Sequence, residues 1–245
     1  MKTFMTNGPL GPIEYVVNEC ENSSAPVLVM AHGFRGSRDG GGRAIALADA
    51  ASKYATVVRF NFNGSQILSR QVAELRAVLG EVRRRYAGRR VLLLGRSLGG
   101  AAALITSGGD AAVAGLILWA TPNDLRATFK TALGNDAYAR LDGGATLHLA
   151  DERGELALTP DFLTDIDQYD LSAVLQKWRG RPILILHGDA DETVCVEQAR
   201  RNFALLHADA DKELHIFKGG DHSFTTCSGE ANAVICSWLH KHFIK

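Results

Sequence analysis

Residues 91–100 read Val-Leu-Leu-Leu-Gly-Arg-Ser-Leu-Gly-Gly, and the helix-forming run Ala101-Ala-Ala-Leu104 follows. The apolar run predicts a buried strand, and the alanine-rich run predicts a helix. Between them, Gly95-Arg-Ser97-Leu-Gly99 matches the G-x-S-x-G motif, in which the serine stands on a sharp strand-to-helix turn with its hydroxyl exposed and flanking glycines avoid collision with the neighbouring elements. Taken alone, these five residues are also compatible with a structural Gly/Ser turn. The helix N-terminus also favours negative charge developing at Ser97. This turn predicts a serine nucleophile.

Outward from this turn, short apolar runs alternate with helical patterns along the chain. Such alternation predicts an α/β fold, a mostly parallel sheet with helices on both faces, and continuous Val/Ile/Leu runs are typical of strands buried on both faces. The strand candidates are Val27–Ala31, Thr56–Phe62, Arg90–Leu94, Ala114–Trp119, Pro182–Leu186 and Glu213–Phe217, with Ile13–Val17 as a weaker antiparallel edge.

Helices are predicted between these strands. Apolar residues recur at steps of three and four from Leu68 to Tyr86, which places one apolar stripe against the sheet. Five further segments have helical patterns: Arg43–Lys53, Ser97–Thr106, Leu171–Trp178, Val196–His207 and Glu230–His242.

The 245 residues fit one domain, 1–245, with an insertion. About sixty residues separate Trp119 from Pro182, far more than the ten to twelve or so that a direct crossover needs. Within this segment, residues 146–158 predict a small β-hairpin. We interpret residues 123–170, approximately, as a cap over the carboxyl edge of the sheet, where open α/β sheets bind ligands.

The composition excludes several classes of protein. Lys+Arg and Asp+Glu are 27 each, so the basic excess of a nucleic-acid binder is absent. No apolar run approaches the roughly 20 residues of a membrane span, and the N-terminus has no apolar leader segment. The four cysteines show neither a C-x-x-C pair nor metal-ligand spacing. We expect reduced thiols, a cytoplasmic location, and no metal or cofactor; the sequence assigns no oligomeric state.

A serine hydroxyl needs a base, and His222 is the best placed of the eight histidines. It follows the final predicted strand in Gly219-Gly-Asp-His-Ser-Phe224, at the same sheet edge as Ser97. The others lie within strands, at helix ends, in the cap or beside a glycine at a strand end. We therefore predict His222 as the general base.

The imidazolium needs a carboxylate to orient it. Residues 187–194, His-Gly-Asp-Ala-Asp-Glu-Thr-Val, follow a predicted strand and lie between Ser97 and His222 in the chain. Asp191 is preferred over Asp189, because the G-x-x-D spacing leaves the turn room to aim a carboxylate across the edge. Asp189 is interpreted as an Asx-turn residue that stabilises the loop.

A tetrahedral intermediate needs backbone N–H donors for its oxyanion. The residue after the nucleophile, Leu98, supplies one N–H. The loop Ala31-His-Gly-Phe-Arg-Gly36 follows an early strand, and its Phe34 N–H is the second predicted donor. Gly33 lets this backbone approach closely. Taken alone, His32-Gly33 is equally well explained as a plain turn.

These motifs together resemble the α/β-hydrolase superfamily over essentially the whole chain. The chain is similar to small cinnamoyl/feruloyl-esterase-like and acyl-peptidase-like serine hydrolases. The resemblance implies an α/β-hydrolase fold with the triad Ser97, Asp191 and His222, and with Phe34 and Leu98 as oxyanion donors. Relatives usually carry a Gly-x-Gly-x-Ser turn where this chain has Gly64-Ser-Gln-Ile-Leu68, so that loop is shortened.

The predicted activity is cleavage of a carboxylic ester on a small-molecule acyl substrate through an acyl-enzyme. Phe34, Trp119 and Phe162 are the predicted substrate-binding residues, and Phe129, Tyr138 and Tyr169 of the cap are further candidates for the pocket or for the core of the cap. Peptidase, thioesterase and C–C-bond hydrolase activities use the same machinery, since fold and triad do not fix the substrate. A non-catalytic binding protein of the same fold is the alternative from another class.

Overall fold

The computed structural model describes residues 1–64, 66–151 and 154–244. Its centre is an eight-stranded mixed sheet, whose strands are β1 (Lys2–Gly8), β2 (Gly11–Asn18), β3 (Val27–Ala31), β4 (Thr56–Phe60), β5 (Val91–Arg96), β6 (Val113–Trp119), β9 (Ile183–Gly188) and β10 (Lys212–Phe217). Their order in the sheet is β1-β2-β4-β3-β5-β6-β9-β10, in which β1 and β2 are antiparallel to their neighbours and the remaining pairs are parallel.

Helices cover both faces of this sheet. Their bounds are α1 (Arg43–Ala51), α2 (Leu68–Arg85), α3 (Leu98–Gly108), α4 (Leu125–Leu133), α5 (Asn135–Asp142), α6 (Asp161–Ile166), α7 (Leu171–Gln176), α8 (Val196–Leu205) and α9 (Ser228–Phe243). A short 3-10 turn, Gly40–Gly42, precedes α1. Leu93 of β5 packs in the core beneath α2 and α3, whereas Leu92 and Leu94 pack in the core beneath α1 and α9. Both faces of the central strands are thus buried, which confirms the predicted α/β fold, a mostly parallel sheet with helices on both faces.

The edge of the sheet differs from the prediction. Ile13–Val17 lies in β2, which is antiparallel as expected, but β1 pairs outside it and forms the edge. The segment Lys2–Gly8 is mostly polar and exposed. An edge strand with this composition has little apolar alternation by which to recognise it.

The long segment between β6 and β9 contains more helix than the sequence predicts. The hairpin is present as β7 (Leu147–Asp151) paired with β8 (Gly154–Leu158), and the turn residues 152 and 153 lie outside the described residues. The helices α4, α5 and α6 flank it. They have between six and nine residues each, so each gives only a short periodic signal. Asp124 caps α4 by accepting a hydrogen bond from the Ala127 N–H at 2.9 Å.

None of the helices in the described part of the chain is long and apolar enough to cross a membrane. The shortened loop after β4 includes residue 65, which lies outside the described residues.

Candidate active site

Ser97 occupies a strained turn between β5 and α3. Its φ and ψ are 53° and −124°, a conformation that costs a non-glycine residue of order 1–3 kcal/mol. The surrounding backbone holds it: the Ser97 N–H donates to the Trp119 carbonyl at 2.9 Å, and the Ser97 carbonyl accepts the Gly100 N–H at 2.8 Å. This backbone conformation places Ser97 between β5 and α3, with its hydroxyl toward the carboxyl edge of the sheet.

The glycines around Ser97 are required by close backbone packing. A Cβ on Gly95 would lie 2.3 Å from the Gly99 carbonyl oxygen, and a Cβ on Gly99 would lie 2.2 Å from the His32 carbonyl oxygen. Both are far inside van der Waals contact with backbone atoms that cannot move aside. The pattern G-x-S-x-G therefore follows from the spacing of β5, α3 and the loop after β3.

His222, in the loop after β10, reaches Ser97. Its Nε2 is 3.2 Å from Ser97 Oγ, and its Nδ1 is 3.0 and 2.9 Å from the two carboxylate oxygens of Asp191. A carboxylate only accepts hydrogen bonds, so Nδ1 carries the proton and the Nε2 lone pair faces the serine hydroxyl. This arrangement can take a proton from Ser97.

The loop backbone of His222 is also anchored. Its carbonyl accepts a hydrogen bond from the Arg96 guanidinium at 2.6 Å, and its N–H donates to a Glu192 carboxylate oxygen at 3.1 Å. Arg96 precedes Ser97 and Glu192 follows Asp191 in the chain. The three predicted catalytic residues are therefore tied to one another by neighbours as well as by their own side chains.

Asp191 is buried, and several donors surround its carboxylate. Oδ1 accepts the N–H groups of Thr193 and Val194 at 2.9 and 2.7 Å, and Oδ2 lies 3.3 Å from His187 Nε2. Burial by itself raises the pKa of this carboxyl, but the nearby His187 ring and the hydrogen bonds from His222 and the Val194 N–H outweigh it and hold the pKa well below its usual range; the His187 Nε2 itself lies 2.7 Å from the Val194 carbonyl oxygen. Asp191 is thus a fixed anion against the His222 ring.

Asp189 has a different role from the one predicted. Its carboxylate accepts the Gly219 N–H at 2.6 Å, so it joins the loop after β9 to the loop after β10. The interpretation of Asp189 as an Asx-turn residue of its own loop was wrong, because its acceptor oxygen is used between loops. The Asx-type contact in this turn belongs to Asp191, through Thr193.

Both predicted oxyanion donors have free N–H groups. Within the described part of the chain, neither the Phe34 N–H nor the Leu98 N–H donates to another residue. The loop that carries Phe34 abuts the serine, since a Cβ on Gly33 would lie 3.0 Å from Ser97 Cβ. Two unused donors beside a serine hydroxyl are what an oxyanion requires.

His32 fixes this loop, and the sequence left its role open between a functional residue and a plain turn. Its Nε2 accepts the Phe62 N–H at 3.1 Å, so its Nδ1 carries the proton and donates to the Gly33 carbonyl at 2.9 Å. Burial lowers the pKa of His32, which keeps the ring neutral. The ring thereby ties the backbone before Phe34 to the end of β4.

Arg35 connects the same loop to the hairpin β7–β8. Its guanidinium donates to the Leu149 carbonyl at 3.1 Å, to the Asp151 carboxylate at 2.6 Å and to the Gly154 carbonyl at 2.5 Å. The side chain is only 6% exposed. Sequence reasoning missed this residue, because its partners lie more than 110 residues away in the chain.

The three predicted substrate-binding residues differ in exposure. Phe34 is half-buried, Trp119 is buried, and Phe162 is fully buried. The Phe162 ring packs 5.9 Å from the Phe34 ring and 4.5 Å from the Phe129 ring, centroid to centroid. Phe162 supports Phe34 from behind and presents no surface to a ligand in this structure. Its contact with substrate stays a prediction, as do those of Phe34 and Trp119.

Comparison with known proteins gives a family match and several structural likenesses. The model of the prolyl oligopeptidase family matches residues 70–245. No curated protein matches the chain. The fold is similar to Est1E from Butyrivibrio proteoclasticus, at a TM-score of 0.81 and 15% identity over 98% of both chains.

Two more solved structures show the same likeness. Est1E with bound ferulic acid has a TM-score of 0.79 at 14% identity, over 97% of this chain and 98% of its own. The esterase domain of a Rhodothermus marinus protein has a TM-score of 0.77 at 20% identity, over 100% and 99%. At such identities the likeness shows a shared fold.

Proposed function

The chain belongs to the prolyl oligopeptidase family of serine hydrolases, and on that basis we propose that it hydrolyses carboxylic esters of small acyl substrates through an acyl-enzyme. One observation carries the proposal: a continuous hydrogen-bonded chain runs from Ser97 Oγ through His222 to Asp191, beside the unused N–H groups of Phe34 and Leu98. This hydrogen-bonded arrangement needs only an acyl carbonyl at Ser97 to begin acyl transfer.

In the acylation half, Ser97 Oγ attacks the ester carbonyl carbon as its proton passes to His222 Nε2. The carbonyl π electrons move to oxygen, and the oxyanion accepts hydrogen bonds from Phe34 and Leu98. The tetrahedral intermediate collapses, the bond to the alcohol oxygen breaks, and His222 returns the proton to the departing alcohol. Asp191 stays ionised throughout and stabilises the imidazolium, as the low pKa of its carboxyl requires.

In the deacylation half, water takes the place of the alcohol. His222 removes a proton from the water, whose oxygen attacks the acyl carbon in the same oxyanion site. The bond to Ser97 Oγ breaks, the proton returns to Ser97, and the carboxylic acid leaves. Ser97 and His222 are thus restored, and no electrons are gained or lost by the protein.

The strained turn and the His32 contact have functions in this scheme. A preorganised oxyanion site does not reorganise as charge develops, so its donors stabilise the transition state more than the ground state. His32 holds the Phe34 backbone in place before substrate arrives. We further propose that residues 123–170 act as a cap, and that Phe34 lies where this cap meets the substrate.

A peptidase is the second candidate, and the family match favours it. Peptide and ester hydrolysis differ at the leaving group. An amine must be protonated before it departs, whereas an alcohol oxygen depends less on protonation by the general acid. The likeness in fold to Est1E and to an esterase domain supports the ester reading. The alternative to an enzyme is a binding protein with the same fold and no catalytic activity. Any substrate turnover that depends on Ser97 would exclude this alternative.

The test is a panel of short p-nitrophenyl esters, the matched thioesters and the matched p-nitroanilides, assayed with wild type, Ser97→Ala and Ser107→Ala. Ser107 is a buried serine of the same helix whose hydroxyl donates to the Ala103 carbonyl, so it is a matched control. We expect the esters to be cleaved fastest, Ser97→Ala to be inactive and Ser107→Ala to be active. Anilide cleavage faster than ester cleavage would favour the peptidase, and activity in Ser97→Ala would contradict both proposals.

A further inference from the structure

A cavity lies behind the oxyanion loop, on the α1 side of the sheet. It has a volume of about 80 Å³, several times what one water molecule needs. Its walls combine apolar side chains with three arginines, a histidine and two serines. The side chains that matter here are Leu47, Leu94, Arg43, Arg96, Trp119 and Ser223. No step of the ester hydrolysis uses this cavity.

Two cations face the cavity without a contacting counter-ion. Arg96 is half-buried, and its guanidinium donates a hydrogen bond to the neutral His222 carbonyl at 2.6 Å. Within the described part of the chain, the Arg43 guanidinium makes neither a hydrogen bond nor an ion pair, and the Arg43 backbone N–H donates to the Gly40 carbonyl. The pKa of Arg96 is lowered mainly by burial and, to a smaller extent, by repulsion from the Arg43 guanidinium. Both arginines are half-buried, and two neighbouring guanidiniums without an ion pair, lining one cavity, favour the binding of an anion.

Carboxylates near the cavity are engaged elsewhere. Asp221 is close enough for Arg43 to contribute to the lowered pKa of its carboxyl, but its oxygens accept the N–H and the hydroxyl of Thr225. Glu192 accepts the His222 N–H, and Asp191 belongs to the triad. These three carboxylates lower the positive electrostatic potential in the cavity without touching it. None of them forms an ion pair with the Arg43 or Arg96 guanidinium.

A third donor belongs to another residue that lines the cavity. Trp119 is 6% exposed and lines the cavity, and its indole Nε1 is buried without a hydrogen-bond partner in the described part of the chain. An unsatisfied buried donor is unfavourable, and a ligand oxygen within hydrogen-bond distance of it would remove that cost. The indole N–H and the two guanidiniums belong to three residues that line one cavity, and the rest of its wall combines apolar side chains with Arg38, His32 and two serines.

We propose that this cavity binds the carboxylate group of a small organic acid. Guanidinium groups match the planar carboxylate, with two parallel hydrogen bonds to its oxygens. The walls formed by Leu47, Leu94 and the Trp119 ring suit a short hydrocarbon chain, which inorganic phosphate lacks. The carboxylate has two sources, a second acid group on the substrate itself or a free carboxylic acid, and both present the same chemistry.

The binding test uses the indole N–H resonances of the intact protein, titrated with sodium butyrate. The Trp119→Phe variant assigns the Trp119 peak, and Trp178, whose Nε1 donates to the Arg181 carbonyl at 2.8 Å, is an internal control. We expect butyrate to shift the Trp119 peak and leave the Trp178 peak in place, and neutral butyramide to bind at least tenfold more weakly. Binding needs no turnover, so the result is informative even if no ester is cleaved.

Matched variants separate specific binding from general charge. Arg43→Gln should weaken butyrate binding about tenfold or more, as loss of a charge-assisted contact predicts. Arg200→Gln removes an equal charge on α8, where Arg200 pairs with Glu197, and should change nothing. Equal binding of butyrate and butyramide, an unmoved Trp119 peak at about 10 mM butyrate, or equal effects of the two variants would overturn the proposal.

Kinetics then identify the source of the carboxylate. If the substrate carries it, monomethyl succinate will have a higher kcat/KM than methyl butyrate, and Arg43→Gln will remove that preference. If a free acid occupies the cavity, the two esters will be cleaved alike and butyrate will change turnover of both. Each result supports a carboxylate site and assigns its source.

Discussion

Replacing Asp191 by Asn tests the proposed role of this carboxylate, because it changes the charge and the proton pattern with little change in shape. Asn Oδ1 can still accept the Thr193 and Val194 N–H groups, so the loop should fold. The amide N–H₂ then faces His222 Nδ1, where the carboxylate oxygen lies 2.9 Å away in the native protein. Oδ1 also lies 3.0 Å from Nδ1, but an N–H₂ donor on the nearer position opposes a second donor there, so the substitution favours the ring form that carries its proton on Nε2.

The magnitude follows from that change of tautomer. With Nε2 protonated, His222 cannot accept the Ser97 proton, and the corresponding substitution in a Ser-His-Asp triad lowers kcat by about 10⁴. That factor equals about 5 kcal/mol of transition-state stabilisation, since each factor of ten is about 1.36 kcal/mol. We expect KM to change little, because Asp191 is buried behind His222 and contributes no surface to the pocket.

The assay is steady-state hydrolysis of p-nitrophenyl acetate, with urea unfolding to confirm that the variant is folded. Asp189→Asn is the matched control: it lies two residues earlier, and the Asn oxygen can still accept the Gly219 N–H. We expect its kcat to stay within about threefold of wild type, a change of under 1 kcal/mol. The reasoning fails if folded Asp191→Asn retains a tenth of wild-type kcat, or if Asp189→Asn loses as much activity.

Four further expectations follow. Folding lowers the pKa of the Asp191 carboxyl. The ionised carboxylate therefore stabilises the fold fully above the pKa of the unfolded chain, about 3.9, and this stabilisation is lost as the pH falls from there toward the lower folded pKa. The difference in free energy of unfolding between wild type and Asp191→Asn, measured in urea, should narrow below about pH 4. His32→Ala leaves the Phe62 N–H unpaired, whereas the Gly33 carbonyl keeps the Gly36 N–H, and it should cost about 1–3 kcal/mol in urea unfolding and about 10² in kcat/KM. Arg35→Gln should release the hairpin of residues 147–158, because it removes the hydrogen bonds from the guanidinium to that hairpin. We expect faster limited proteolysis within the hairpin and a lower kcat/KM. Unchanged proteolysis would show that contacts other than those of Arg35 hold the hairpin. Gly80→Ala, in α2 where an added Cβ meets nothing within 4 Å, should raise the free energy of unfolding by about 0.5–1 kcal/mol.

The sequence predicted best what is encoded locally. Val27–Ala31 is a strand with the predicted bounds, and the turn at Ser97 follows from a strand, two glycines and a helix that are contiguous in the chain. Asp191 and His222 could be proposed because each follows a strand, and parallel strands bring their carboxyl ends to one edge. Their side chains meet in the structure, whereas their catalytic roles stay predictions.

Contacts between distant segments could not be predicted. His32 acts through the Phe62 N–H of another strand end, and Arg35 acts through carbonyl groups of the hairpin. Neither partner carries a sequence signal, because any residue supplies a backbone N–H or carbonyl. Asp189 was assigned to its own turn for the same reason, since its true partner, the Gly219 N–H, belongs to another loop.

The central claim is that Ser97 is the nucleophile, and covalent labelling tests it most directly. A fluorophosphonate probe forms a stable bond to an activated serine oxygen, and mass spectrometry of the digested protein locates it. We predict one label per chain, on Ser97, with no labelling of Ser97→Ala and markedly slower labelling of Asp191→Asn. A label on another residue, or full labelling of Ser97→Ala, would contradict the account.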